Sequence, residues 1–212
     1  SLTLSGANSS YTGTTTLSAG SLLVTNNNSL GSGALTTAAG TSLDSTANVT
    51  LANNIAMTGA LNVLGSNALT LGGILSGTGA ITKSGSASLT LTGNNTNAGN
   101  TALNAGSLFV GSNTALGTGA LNAAANTTLD ATTAVTLANA VALAGGLTLG
   151  GTQALGLSGV VSGAGNLIKN GTADHALSGN NTVTGGTAPN ARTLMVGSNT
   201  ALGTGALTTA AG

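Results

Sequence analysis

The amino-acid sequence predicts an all-β chain folded as a parallel β-helix, in which short strands stack coil upon coil into a rod. Three observations predict this fold. A unit of about 86 residues returns along the chain, apolar and polar residues alternate within that unit, and the composition is rich in small residues and nearly free of charge. Together they favour a β-solenoid over an ordinary globular domain.

The repeat is visible as whole phrases separated by 86 residues. The phrase LGSGAL at 30–35 returns as LGTGAL at 116–121 and again at 202–207. The sequence therefore predicts two copies and part of a third within one continuous solenoid, at residues 1–88, 89–174 and 175–212. Because the last copy ends without an atypical cap, we expect the chain to be part of a longer repetitive array.

Within each copy, apolar residues recur at every second position over short runs. Leu2 alternates with Leu4, Val49 with Leu51, and Leu89 with Leu91, and Gly and Asn pairs separate such runs. Alternation bounded by turn-forming residues is typical of β-strands. At three strands per coil, the dozen or so strand-like runs of one copy predict about four coils and a rise of ~19 Å, or ~50 Å for the whole chain.

The composition excludes several classes of function. The 212 residues include only three Lys or Arg, three Asp or Glu, and one His. Enzymes gather several titratable groups in one pocket, so the sequence predicts no enzyme and no catalytic residue. The formal net charge of zero offers no basic surface for nucleic acid or anionic lipid. We therefore expect neither of these as a partner.

Aromatic residues are nearly absent from the apolar part of the composition. Hydrophobic residues make up 41% of the chain, yet it holds one Tyr, one Phe and no Trp or Cys. No disulfide or thiolate metal site is therefore available, and no apolar run approaches the roughly 18 residues of a membrane span. The segment Ser1–Leu4 lacks the features of a signal peptide. The sequence predicts no cofactor, no metal and no membrane insertion by this segment.

One part of each copy resembles a known family. The segment 81–95, continuing to Val110, is similar to the autotransporter-associated β-strand repeat of Gram-negative type V secretion passengers, as is 11–22, while 175–196 is the most altered version. The resemblance implies a right-handed parallel β-helix, secreted or displayed at the outer membrane, with an outer-membrane translocator domain in the full-length protein. The family's repeat is thought to assist folding and export, and it carries no catalytic residues.

Asp174 and His175 form the only acid–imidazole neighbours, with Ser178 nearby. Adjacent residues of a strand point to opposite faces, so Asp174 is not expected to orient His175 as a catalytic triad requires. His175 also occupies the place of Leu2 and Leu89 in the earlier copies. We interpret it as a core or near-core position.

The remaining charged residues are given structural roles. Asp44 and Asp130 occupy equivalent places and are predicted to cap turns, because calcium needs more carboxylates than either site offers. Lys83 and Lys169 are predicted to face solvent and to discourage lateral growth of the sheets. Arg192 replaces a turn glycine, so we expect a strained or remodelled turn there, and Pro189 is predicted to mark a bulge or protruding loop.

The sequence thus predicts a structural, non-enzymatic segment of a bacterial surface fibre or adhesin, secreted or at the cell surface and able to assemble into filaments. Other copies of the chain, end to end or side by side, are its expected partners. The alternative function is an adhesion module that contacts glycans or proteins of host or neighbouring cells. The alternative fold is a trimeric adhesin head or another β-roll. Threonine rows at 14–16, 36–37 and 132–133 are unequally spaced, which does not favour an ice-binding face.

Overall fold

A computed structural model describes residues 1–209 as an all-strand, parallel β-solenoid of about 10 turns. The last three residues of the predicted third copy, 210–212, lie outside the described residues. No helix occurs within residues 1–209. The predicted fold class, an all-β parallel β-helix, is confirmed.

The strands lie on three faces, and the chain visits the faces in the same order in every coil. Face 1 is one nine-stranded parallel sheet of β1 (Leu2–Leu4), β3 (Ser21–Val24), β5 (Thr41–Ser45), β8 (Leu61–Val63), β11 (Ile81–Lys83), β13 (Thr101–Leu103), β15 (Leu121–Ala123), β18 (Val141–Leu143) and β21 (Val161–Gly163). Face 2 is one eight-stranded parallel sheet of β6 (Val49–Leu51), β9 (Leu69–Leu71), β12 (Leu89–Leu91), β14 (Ser107–Val110), β16 (Thr127–Ala131), β19 (Leu147–Leu149), β22 (Leu167–Lys169) and β24 (Thr187–Pro189).

Face 3 carries two four-stranded sheets, one above the other. The first consists of β2 (Thr15–Leu17), β4 (Leu35–Thr37), β7 (Ile55–Met57) and β10 (Leu75–Gly77), and the second of β17 (Val135–Leu137), β20 (Leu155–Leu157), β23 (His175–Leu177) and β25 (Leu194–Val196). Irregular segments continue the stack between them. The N–H of Thr96 donates to the Leu75 carbonyl (2.8 Å), and the N–H of Thr118 donates to the Asn97 carbonyl (2.9 Å).

One coil takes about 20 residues. Along face 1, Leu61 pairs with Ile81, and Ile81 pairs with Thr101. Since neighbouring strands are ~4.8 Å apart, about ten coils give a rod of ~50 Å.

The core is a column of inward-facing aliphatic side chains. In strands such as β9, Leu69 and Leu71 are buried while Thr70 between them is half-buried on the outer face. Most strands of three residues therefore supply two core residues, with one residue between them on the outer face. Each fully buried Leu, Ile or Val contributes roughly 1.5–3 kcal/mol of transfer free energy, which accounts for the density of these residues in so thin a core.

The sequence repeat does not fill a whole number of coils. Four coils take about 80 residues, and the remaining six or so carry the chain to the next face. The equivalent strands β3, β14 and β25 consequently lie on face 1, face 2 and face 3. The predicted four coils per copy are thus an underestimate by about a third of a turn. Each copy is rotated onto the face that follows.

Arg192 retains the backbone conformation of the glycines that it replaces. Gly20 and Gly106 have φ angles of 76° and 70°, and Arg192 has φ 53°. The sequence expectation of a strained turn is confirmed, because a side chain in the left-handed region approaches the following carbonyl.

Replacing Arg192 by glycine is expected to stabilise the chain by about 1 kcal/mol, since this strain is then relieved. Urea unfolding followed by circular dichroism measures the change. The matched control is Gly20→Ala, where a new Cβ meets nothing within 4 Å and only backbone strain is added. A loss of stability in Arg192→Gly would show that the arginine side chain makes a stabilising contact that outweighs its backbone strain.

Pro189 lies at the end of a regular strand, so the prediction of a bulge or protruding loop is wrong. It pairs in register with Lys169 of the preceding coil, and the next residue, Asn190, donates its N–H to the Lys169 carbonyl (2.9 Å). Proline has no N–H to donate to the coil that follows. There the ladder consists of a single bridge between Thr187 and Leu207, whereas the equivalent β13–β15 ladder has three pairs.

Candidate functional site

The two lysines are buried, and the prediction that they face solvent is wrong. Lys83 and Lys169 are 0% and 1% exposed. Each is the third residue of a three-residue strand, so it shares the inward side with the first residue, Ile81 or Leu167. Alternation within the strand therefore determines their position, and their hydrophilic character does not.

Backbone carbonyls surround each lysine ammonium. Lys83 Nζ donates to the Gly85 carbonyl and, at 3.1 Å, to the Ala105 carbonyl of the next coil. Lys169 Nζ donates in the same way to Gly171 (2.7 Å) and Ala191 (2.6 Å). Burial lowers the pKa of both lysines. Each side chain thus joins two coils through uncharged partners.

Because the two lysines are buried, we expect the free energy of unfolding of the rod to change with pH in the alkaline range. A lowered pKa in the folded state means that the unfolded chain binds more protons between that pKa and the ordinary lysine value of ~10.4. We expect the free energy of unfolding to rise with pH in this window and to be highest above it. Urea unfolding at pH 8, 9 and 10 measures the effect.

The double variant Lys83→Met/Lys169→Met is expected to remove most of this alkaline rise. A rise of the same size in the variant would contradict the assignment to these two side chains. Lys83→Met alone provides the intermediate case, with about half the effect, because the two sites make equivalent contacts in successive copies.

Both equivalent aspartates lie within strands, and of the predicted turn caps only Asp44 accepts from the N–H of a turn residue. Asp44 Oδ1 accepts from the N–H of Ser45 (2.9 Å) and of Ser66 one coil above (3.0 Å), and Oδ2 accepts from the Ser66 hydroxyl (2.6 Å). Asp130 Oδ1 accepts from the N–H of Ala131 (2.6 Å). Within residues 1–209, no three His, Asp or Glu side chains come together as metal ligands.

His175 lies in the core, as the sequence predicts. It is 0% exposed, whereas Asp174 and Ser178 are exposed on the opposite side of the strand. Its Nε2 is 3.1 Å from the Gly150 carbonyl, and its Nδ1 is 3.2 Å from the N–H of Leu155. The structure therefore does not bring these three residues together as a catalytic triad.

Buried asparagines form contacts between coils that the sequence analysis did not identify. Asn95 Oδ1 accepts from the N–H of Leu75 (2.8 Å), and its Nδ2 donates to the carbonyl of Ala115 (2.6 Å). Asn181 makes the equivalent pair of bonds in the next copy, at 2.7 and 2.6 Å. Asn53 donates to two carbonyls of the preceding coil, as does Asn139. These amides join successive coils at the positions where the strands are interrupted.

The outer surface has a shallow groove of about 310 Å³ over the second sheet of face 3. Its floor consists of outward-facing small residues of successive strands, Thr136, Gly156 and Ala176, and Asn113 and Asp174 line its edge. No helix of the described residues is both long and apolar enough to cross a membrane.

Comparison with known proteins matches three segments of the chain to one family. The model of the passenger-associated-transport-repeat matches residues 1–24, 81–110 and 167–188, together about a third of the chain. Comparisons with curated proteins and with solved structures gave no significant match. The last two matched segments begin 86 residues apart, at the β11 and β22 strands that carry the buried lysines. The chain is therefore a parallel β-solenoid, three segments of which match the passenger-associated-transport-repeat, consistent with a repeat of an autotransporter passenger.

Proposed function

We propose that this chain is a non-catalytic structural segment of an autotransporter passenger, a rigid spacer at the surface of a Gram-negative bacterium. The observation that carries the proposal is a stack of parallel sheets over about 10 turns, with segments that match the passenger repeat recurring in it. The units of this spacer are the two copies at 1–88 and 89–174 and the partial third copy at 175–212. An outer-membrane translocator domain is the expected partner in the full-length protein.

The use of the titratable groups supports a structural role. The two lysines and the histidine have their polar atoms bonded to backbone groups inside the rod. The carboxylate of the half-buried Asp44 accepts hydrogen bonds from N–H groups of two coils. Catalysis needs such groups to be free to exchange protons with a substrate. Here they stabilise the stacking of coils.

The rotation of each copy favours a role that does not depend on one particular face. The equivalent strands β3, β14 and β25 present Leu23, Phe109 and Met195 outward, one on each of the three faces in turn. Few charges accompany them on the surface. We propose that copies of the rod associate through such faces into fibres, since low net charge does not oppose contact.

The test combines electron microscopy of the purified chain with labelling of intact cells. We expect unbranched rods of ~50 Å at low concentration, lengthening or bundling as concentration rises, and antibody against the chain should label the surface of the source bacterium. Globular particles, or labelling only after the cells are broken, would refute the proposal. Single rods at every concentration would agree with a rigid spacer and would contradict assembly into fibres.

A binding module is the second candidate, and the groove over face 3 is the observation that favours it. Its hydroxyl, amide and single carboxylate groups suit a neutral saccharide of a host or neighbouring cell. Glycan-array binding by the chain would support this function, provided that Gly156→Trp, which fills the groove floor, abolishes it. The control is Ala142→Trp, at an outward-facing position of β18 on face 1.

A further inference from the structure

His175 occupies a place that leucine fills in the two earlier copies. Leu89 occupies the same place in the second copy and is fully buried in β12. There, the N–H of Leu69 in the preceding coil donates to the carbonyl of Ser88, the residue before the leucine (3.0 Å). At His175, Leu155 stands in place of Leu69 and Asp174 in place of Ser88.

The imidazole takes part in the backbone ladder between β20 and β23. The N–H of Leu155 donates to His175 Nδ1 at 3.2 Å, and the Asp174 carbonyl lies 3.2 Å from the same ring nitrogen. His175 Nε2 is 3.1 Å from the Gly150 carbonyl. The donation from the Leu155 N–H requires a neutral ring whose Nδ1 accepts and whose Nε2 carries the proton and donates to Gly150, whereas the Asp174 carbonyl can accept only from a protonated Nδ1.

A second proton on this ring conflicts with the contact to Leu155. Nδ1 of the imidazolium is a donor and would turn to the Asp174 carbonyl, so the N–H of Leu155 would lose Nδ1 as its acceptor inside the core. The charge would also be buried among aliphatic side chains. Both effects weaken the junction between β20 and β23.

The charged groups around the ring do not reverse this effect. Burial is the largest cause that lowers the pKa of His175, and Lys169 of the neighbouring β22 also lowers it. The carbonyls of Gly150 and Asp174 and the carboxylate of Asp130 in β16 act in the opposite direction. The strands stacked on either side, β20 and β25, contribute no titratable side chain.

We propose that His175 is an acid-sensitive break point in the solenoid, at which protonation separates β23 from β20 and loosens the coils that follow. The stability that the neutral ring supports is fully present above the unfolded value of ~6.5 and is lost as the pH falls through the folded value below it. The break point belongs to the third copy alone, since leucine occupies the equivalent place in the first two.

Hydrogen exchange with mass spectrometry at pH 7.5 and 5.0, corrected for intrinsic exchange rates, tests the proposal. The wild-type chain should lose protection in 155–196 by up to about tenfold for each pH unit of the transition, while 61–130 keeps its protection. His175→Leu, which restores the residue of the earlier copies, should remove the acid effect. Leu89→His should create a new acid-sensitive junction between β9 and β12.

Equal losses of protection in the wild-type chain and His175→Leu would overturn the proposal, as would a wild-type chain unaffected at pH 5.0. If Leu89→His fails to fold, the comparison between the wild-type chain and His175→Leu still tests whether His175 causes the acid effect.

Discussion

Replacing Asn95 by leucine is expected to destabilise the rod by about 2–6 kcal/mol, although the two side chains are similar in size. The amide is 3% exposed and satisfies the N–H of Leu75 below it and the carbonyl of Ala115 above it. Leucine leaves both backbone groups buried without a partner, and each such group costs about 1–3 kcal/mol. Urea unfolding followed by circular dichroism measures the loss.

The adjacent residue supplies the control for this experiment. Asn94 is exposed, so Asn94→Leu is expected to change the free energy of unfolding by less than about 0.5 kcal/mol. Asn181→Leu, in the next copy, should reproduce the loss caused by Asn95→Leu, because its two bonds are equivalent. Similar stabilities for Asn95→Leu and Asn94→Leu would mean that the buried amide is not needed between coils.

The alternation of inward and outward residues predicts more of the fold when it is followed beyond the leucines. In the second copy, the inward side continues without a break from Leu89 through Leu91, Gly93 and Asn95 to Asn97, all of them buried. Extending the alternation beyond the last leucine would therefore have placed Asn95 inside. The same count from Ile81 places Lys83 inside, yet its charge led to the prediction of an exposed side chain.

The one-third turn between copies was harder to predict, for a physical reason. Residues 86 apart have nearly the same identity, because each copy preserves a whole phrase. Residues 20 apart only share the requirement for a side chain that fits the core. Leu61, Ile81 and Thr101 stack on one another, and they have little in common except their inward position. The length of a coil is therefore a weak signal beside the length of a copy.

His175 and Arg192 show that the altered third copy follows the backbone of the others. Both replacements were recognised from the sequence by comparison with Leu89 and Gly106. What the sequence could not give was the partner of the imidazole. That partner is an N–H of the preceding coil, and the stacking of coils determines which one it is.

Replacing Gly73 by alanine is expected to cost about 3 kcal/mol, because coils are closest where glycine residues stack at the corners. A Cβ added at Gly73 would lie 2.2 Å from the carbonyl oxygen of Asn53 and 2.7 Å from the backbone nitrogen of Asn54, one coil below. Both are backbone atoms of the stack, so they can move away only if the coils separate. Overpacking of this kind costs about 1–3 kcal/mol, occasionally more.

A variant of the preceding residue, Gly72, is the control that separates the effect of close contact between coils from the general effect of removing a glycine. At Gly72 a Cβ would lie 3.5 Å from the Leu51 carbonyl, which is an ordinary contact, so Gly72→Ala is expected to be neutral within about 0.5 kcal/mol. Neither residue has a positive φ angle, so backbone strain is the same in both variants. A large difference in the urea midpoint therefore measures the contact between coils alone, and equal midpoints would mean that the coils are separated more widely at this corner.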